Sequence, residues 1–212
     1  MKTYWVKTAR IIKKLFTGFV WDMPGTGKTV YLTFDDGPIP EATPWVLQTL
    51  KQHNIKATFF CIGDNIRKHP GTLQQVIADG HTIGNHTFNH LNGWQTDYST
   101  YIDNFEKCED IIAQHVPQQA KLFRPPYGKI KPAQAKAIRK KGYKIIMWDV
   151  LSADFDQSIT PQKCLDNVLK NVQPGSIIIF HDSIKASANL TYALPEAIIW
   201  LKNNGYTFGV LA

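Results

Sequence analysis

Two adjacent carboxylates, Asp35 and Asp36, close the apolar run Val30-Tyr31-Leu32-Thr33-Phe34 and are followed at once by Gly37-Pro38. Asp-Gly-Pro is an ordinary turn sequence and alone needs no further explanation. Two acids at the end of a buried strand do need one, because a buried carboxylate requires a cation, a metal or a proton. Strand alternation sends neighbours to opposite faces, but the turn at Gly37-Pro38 can bring both to one side. Downstream, Asn85-His86-Thr87-Phe88-Asn89-His90 holds two histidines at i and i+4. On a helical turn they share a face and can chelate one metal ion, although pairs at this spacing also arise by chance. The pair lacks the glutamate of the zinc-peptidase helix motif, so a carboxylate from elsewhere must act as base. Asp35 and Asp36 suit, one as third ligand and one as base. Arg124 puts a fixed cation in the stiff stretch Arg124-Pro125-Pro126-Tyr127-Gly128, which alone reads as a surface loop. His181 ends the most apolar strand, where a lone histidine is more often a hydrogen-bonded core residue than a catalyst. Singly these signals are ambiguous. Together they supply a metal site, a base, a cation and an acid.

Strand and helix patterns alternate to position them. Strands are predicted over 30–34, 57–61, 82–84, 121–123, 143–150, 176–180 and 206–210. Helices are predicted over 44–53, 73–78, 98–115, from 132 to a stop at Gly142, 161–171 and 194–203, with Thr43 as a candidate cap of the first. About seven strands alternating with helices imply a parallel sheet, open or closed. Asp35, Asp36, His86, Arg124, Asp154 and His181 all fall just after strand ends, where a β/α barrel carries its active site.

The 212 residues are 43% hydrophobic and 12% aromatic, a globular composition sufficient for one domain. Cys61, Cys108 and Cys164 are odd in number and unpaired in spacing, which argues against a disulfide framework and a cysteine-built zinc site. The net charge of +7 is concentrated at the start, where Lys2, Lys7, Arg10, Lys13 and Lys14 precede the first acid, Asp22. No basic cluster elsewhere supports nucleic-acid binding. Residues 1–20 separate at helical spacing into an apolar side (Tyr4, Trp5, Ile11, Ile12, Leu15, Phe16, Phe19) and a basic side. Such a helix can lie on a membrane, but packing of its apolar face on its own domain is favoured. No run is long enough to span a bilayer and no cleavable signal is visible, so a cytoplasmic or inner-membrane-surface location is expected. Pro24-Gly25-Thr26-Gly27-Lys28-Thr29 mimics a phosphate-binding loop, but Asp22 occupies the first glycine position and a strand follows. It reads as a turn into the first strand.

The ordered set of motifs resembles the polysaccharide deacetylases of carbohydrate esterase family 4, the nodulation-protein-like deacetylases, from about Tyr31 to the C-terminus. Thr33 to Pro38 matches the first family motif, His86 to His90 the second, Arg124 to Tyr127 the third and Ile179 to His181 the fifth. Ala57 to Phe60 and Gly80-His81 match family surroundings, His81 in a structural role. The fourth motif departs: Leu151-Ser152-Ala153-Asp154-Phe155 keeps only the second of two acids, and Leu151 and Phe155 change the lining of the acetyl pocket. The resemblance implies a single distorted (β/α) barrel of seven or eight units, with residues 1–24 as a basic amphipathic segment and 25–212 as the catalytic domain. It implies one divalent metal on Asp36, His86 and His90, zinc with cobalt, manganese or nickel as alternatives. Asp35 is then the base, Arg124 its orienting cation, His181 the acid and Asp154 its partner. Substrate contacts are expected from Tyr127, Pro126, Trp94, Phe155 and Ile179, with Trp148 a further stacking candidate. The implied reaction removes N-acetyl groups from N-acetylglucosamine-containing saccharides, with a monomeric enzyme. O-deacetylation of a polymer such as xylan, or carbohydrate binding by a weakened site, are the alternatives.

Overall fold

A computed structural model describes residues 4–25, 27–116 and 120–212. Eight strands form one parallel sheet: β1 (Thr29–Asp35), β2 (Thr58–Cys61), β3 (Thr82–Asn85), β4 (Leu122–Phe123), β5 (Lys144–Ile145), β6 (Val150–Leu151), β7 (Ile177–His181) and β8 (Thr207–Gly209). Their order is β5-β4-β3-β2-β1-β7-β6, with β8 pairing the first half of β1. The helices are α1 (Arg10–Leu15), α2 (Thr43–Gln52), α3 (Gly63–Lys68), α4 (Pro70–Ala78), α5 (Tyr98–Ala113), α6 (Pro132–Lys140), α7 (Pro161–Leu169) and α8 (Ser187–Asn203). None among the described residues is long and apolar enough to cross a membrane.

Alternation along each strand sorts the two faces. In β1, Val30, Leu32 and Phe34 enter the main core with α2, α7 and α8, joined there by Ile178 and Phe180 of β7. The other parity, including Phe60, Leu122 and Ile177, fills the inside of the curled sheet. Asp35 and Arg124 share that inner parity and stand above this layer, with the Arg124 guanidinium 4.1 Å from the Phe60 ring centre.

Several local expectations change. Thr43 does not cap α2; its hydroxyl accepts from Ile39 N–H and donates to Asp182. The strand expected over 143–150 splits into β5 and β6, because the intervening backbone pairs with the N-terminal segment. Val20 N–H donates to Ile145 O at 2.8 Å and Met147 N–H to Val20 O at 2.7 Å; Leu151 N–H donates to Val6 O at 2.8 Å. The helix expected across residues 1–20 is confined to α1 and faces the other way. Its Lys13, with Lys7 from the preceding stretch, turns inward to the buried Asp149, and α1 buries none of its residues. Residues 1–3 lie outside the described part. The glycine-rich stretch leads into β1, not into a helix, as the turn reading requires.

Candidate active site

Register places Asp35 of β1 directly beside His181 of β7 on one side and Phe60 of β2 on the other. Inner parity therefore puts a carboxylate and an imidazole next to each other at the carboxyl end of the sheet. Asp36 would point outward by the same rule, but its φ of 84° bends the chain back. A Cβ at Gly37 would lie 1.9 Å from an Asp182 oxygen, so only glycine fits in this bend. Asp182 is fully buried, accepts from Gly37 N–H and Thr43 Oγ1, and braces the loop. Burial pushes its carboxyl up to about 8, against the pull of these hydrogen bonds.

The two histidines are not on a helix. They follow β3 in a loop held by left-handed Thr87 (φ 62°) and His90 (φ 56°). Asn85 Oδ1 accepts from Thr87 N–H, and Asn104 Oδ1 accepts from Phe88 and Asn89 N–H. Their ring centres are 5.0 Å apart, and one ligand atom each from Asp36, His86 and His90 falls within 4.8 Å of the others. His86 Nδ1 pairs with the Arg124 carbonyl at 2.7 Å, which assigns the proton there and leaves Nε2 free as a ligand. Burial pushes the pKa of both rings below the usual imidazole range, well below for His86, so both present lone pairs. Asp36 Oδ1 is buried without a hydrogen-bond partner, 3.3 Å from His90 Nε2. An orphaned carboxylate oxygen facing two neutral imidazoles fits a divalent cation.

Arg124 is fully buried and locks Asp35. Its Nη1 donates to Asp35 Oδ1 at 2.7 Å and to Thr33 Oγ1 at 2.8 Å, and Nη2 donates to Met147 O at 3.0 Å. Asp35 Oδ2 stays free, 3.7 Å from His86 Nε2. Across the site, His181 Nδ1 meets Asp154 Oδ1 at 2.7 Å and His181 N–H donates to Asp154 Oδ2 at 2.7 Å. Burial disfavours the imidazolium, but the Asp154 charge and hydrogen bond, helped by Asp36 and Asp35, outweigh it and raise the pKa to about 9.

These groups open on a cavity of about 500 Å³ lined also by Tyr4, Tyr127, Lys129, Trp148, Leu151, Phe155, Ile179, Ser183 and Lys185. Leu151 and Ile179 form one apolar cluster against which Tyr4, Trp148 and Phe155 pack. Phe155 sets its ring edge-on to His181, 5.1 Å away. Tyr127 is largely exposed and packs 4.6 Å from His90. Two expected contacts lie elsewhere. Trp94 is 61% exposed, its indole N–H donates to Ile130 O and Lys129 covers its ring. Pro126 is buried under the turn that presents Tyr127. Tyr4, Lys129, Ser183, Lys185 and Asp182 were not legible as site residues. Tyr4 in particular reaches the cavity from far along the chain, with no local signal beyond its aromatic type.

Three candidate ligands with space beside them match the donor set of catalytic zinc-type centres, whereas structural ones are closed. At the carboxyl ends of parallel barrel strands, this set defines a metal-assisted hydrolase of the β/α class. The polysaccharide deacetylase family profile matches residues 22–146, more than half of the chain, and the protein belongs to that family. A peptidoglycan-N-acetylglucosamine deacetylase of Bacillus cereus is 36% identical, over 91% of this chain and 70% of its own. A chitooligosaccharide deacetylase of Azorhizobium caulinodans is 36% identical over 73% of each. The crystal structure of the Bc1960 peptidoglycan N-acetylglucosamine deacetylase superposes with a TM-score of 0.88 at 34% identity, covering 96% of this chain and 95% of that one.

Proposed function

We propose that the protein hydrolyses the acetamide of N-acetylglucosamine units in a peptidoglycan-type or chitin-type saccharide. The observation that carries this is the Asp36, His86 and His90 set facing free Asp35 Oδ2 on one side and Asp154-paired His181 on the other. Asp36, His86 and His90 would hold one divalent ion, zinc or else cobalt, manganese or nickel, and it would supply polarisation of the acetyl carbonyl and of the attacking water. Asp35 takes the water's proton at Oδ2, because Arg124 occupies Oδ1. Leu151 and Ile179 offer an apolar wall for the acetyl methyl. His181, held protonated by Asp154, passes a proton from Nε2 to the amine as the carbon–nitrogen bond breaks, since an amine leaves poorly unless protonated. The family resemblance also supports a backbone amide near Tyr127 as a donor to the oxyanion. The N-acetylglucosamine substrate is supported by the names of the relatives.

The test combines metal analysis with acetate release from chitooligosaccharides, peptidoglycan and acetylxylan. The purified protein should hold about one divalent ion per chain, which His86→Ala loses. Asp35→Asn should keep the ion and lose most activity, whereas Asp36→Asn should weaken metal binding. Equal metal loss in both would show that the roles of the pair are assigned wrongly. Faster acetate release from acetylxylan than from either amide substrate would replace the N-deacetylase reading with an esterase.

A further inference from the structure

The N-terminal segment presents a face that the barrel does not cover. Trp5, Ile11, Leu15 and Phe16 are 67%, 61%, 68% and 51% exposed, and α1 buries no residue. Ile11 and Leu15 stand one helical turn apart and so form a stripe. Arg10 and Lys14, also one turn apart and exposed, form the adjacent stripe. This orientation is imposed from below. Lys13 lies about 200° around the helix from both Ile11 and Leu15, at about 100° per residue. Its Nζ is held 2.5 Å from Asp149 and 2.5 Å from Asp22, and Lys7 is held 2.5 Å from Asp149. With those lysines fixed inward, the apolar stripe faces out.

The charge pattern selects the occupant. No acidic residue precedes Asp22, and Asp22 is engaged by Lys13. A second copy docking on this face about a two-fold axis would set Arg10 and Lys14 against their own equivalents with no acid of the segment to compensate. An anionic lipid surface supplies both missing partners. Its headgroups meet Arg10 and Lys14, while the headgroup–acyl boundary takes Ile11, Leu15, Phe16 and the Trp5 indole. We propose that this face is a docking surface for an anionic lipid bilayer. Tyr4, the neighbour of Trp5, lines the catalytic cavity, so docking would hold the cavity beside the membrane surface.

The experiment is co-sedimentation of the full chain with phosphatidylcholine vesicles, with and without phosphatidylglycerol, over a range of salt. The wild type should bind only the phosphatidylglycerol vesicles, and salt should weaken that binding. Ile11→Ser/Leu15→Ser and Arg10→Glu/Lys14→Glu should each lower the partition coefficient by about tenfold or more. Thermal melts should be unchanged, because all four side chains are exposed. Absence of phosphatidylglycerol-dependent binding by the wild type, or undiminished binding by Ile11→Ser/Leu15→Ser, would overturn the proposal. A concentration-dependent dimer abolished by the same pair of changes would assign the face to a second copy and overturn it equally. None of these readouts depends on the deacetylase reading.

Discussion

Asp36, Thr87, His90, Tyr127 and Ala153 all hold left-handed backbone, and all flank the cavity; among the described residues only Asn54 joins them as a non-glycine. Each costs on the order of 1–2 kcal/mol and persists only where surrounding contacts fix it. For Asp36 and Thr87 those contacts are the buried Asp182, which accepts from the adjacent Gly37 N–H, and Asn85, which accepts from Thr87 N–H, so strain sits where side chains must be aimed against strand parity. The aim of His181 can be tested. In the proposed reaction its imidazolium is the form that donates a proton, and Asp154 is the nearest source of its raised pKa of about 9. With a cation seated on Asp36, the contributions of Asp36 and Asp35 shrink and that of Asp154 remains. Removing the Asp154 charge leaves burial, which favours the neutral ring, so the proton is lost at lower pH. Asp154→Asn should therefore reduce the rate by about 10²-fold or more and move the alkaline limb of the pH–rate profile downward. Metal content, measured in parallel, should not change. A near-normal rate with an unmoved limb would show that another group poises His181.

Where strands β2 and β3 begin, Ala57 N–H donates to His81 Nδ1 at 3.1 Å and Ala57 O accepts from Thr82 N–H at 3.0 Å, and the His81 ring stands edge-on to Phe59. Burial, with Lys56 nearby, lowers the His81 pKa to about 4. The folded chain therefore binds this proton less readily than the unfolded chain does. The stability due to neutral His81 is fully present above the unfolded pKa of about 6.5 and is lost as pH falls toward 4. Urea unfolding at pH 7 and 4.5 should show a loss about 2–3 kcal/mol larger in wild type than in His81→Gln, which keeps an acceptor but cannot titrate. Equal losses would mean that His81 is protonated in the folded state. At this scale the sequence was most legible where periodicity and punctuation agreed. Asp97 caps α5 through Thr100 N–H, and Pro132 and Pro161 open α6 and α7 close to where they were expected. It was least legible where tertiary burial overrode local signals. Helix α8 begins at Ser187 and runs through Pro195, because Leu190, Ala193, Leu194, Ala197, Ile198 and Leu201 are all buried; propensity alone would start it at the proline. The six-residue α3 is too short and polar to carry a period. The site's residue types were readable from strand ends, but the left-handed loop of His86 and His90 was not, since an i, i+4 pair reads first as helix.

The parallel ladder runs from β5 through β4, β3, β2, β1 and β7 to β6, and the N-terminal segment lies along the seam between those two ends. Val20 bridges Ile146 and Lys7 bridges Val150, so the segment supplies backbone partners that neighbouring strands supply elsewhere in the sheet. Asp149 fastens it. The carboxylate is 2% exposed and receives Lys7, Lys13 and Ser176 Oγ, each at 2.5 Å. Burial alone would raise its pKa, but the two lysines and the serine outweigh that and hold it below the usual carboxylate range. The resulting stability is present above the unfolded carboxyl pKa of about 3.9 and is lost as pH falls through the lower folded value. The same clamp places Tyr4, whose hydroxyl bonds Asp156 Oδ2 at 2.5 Å and whose ring stands edge-on to Phe155 in the cavity wall. Seam closure, one wall of the catalytic cavity and the outward face of α1 therefore depend on one buried carboxylate. Asp149→Asn keeps the shape but leaves the Lys7 ammonium without its anion and Lys13 with Asp22 alone. It should destabilise the fold by about 2–4 kcal/mol at neutral pH, with most of that difference gone in strong acid. Limited proteolysis should then cut within residues 4–22 faster than in wild type, while the metal set of Asp36, His86 and His90 stays intact. Loosening the segment should weaken the hold of Asp156 and Phe155 on Tyr4, so KM for a saccharide should rise more than kcat falls. Urea unfolding, proteolytic mapping and metal analysis on the same variant separate these effects. An unchanged cleavage pattern together with wild-type stability would show that backbone pairing at Val6 and Val20 holds the segment without the clamp.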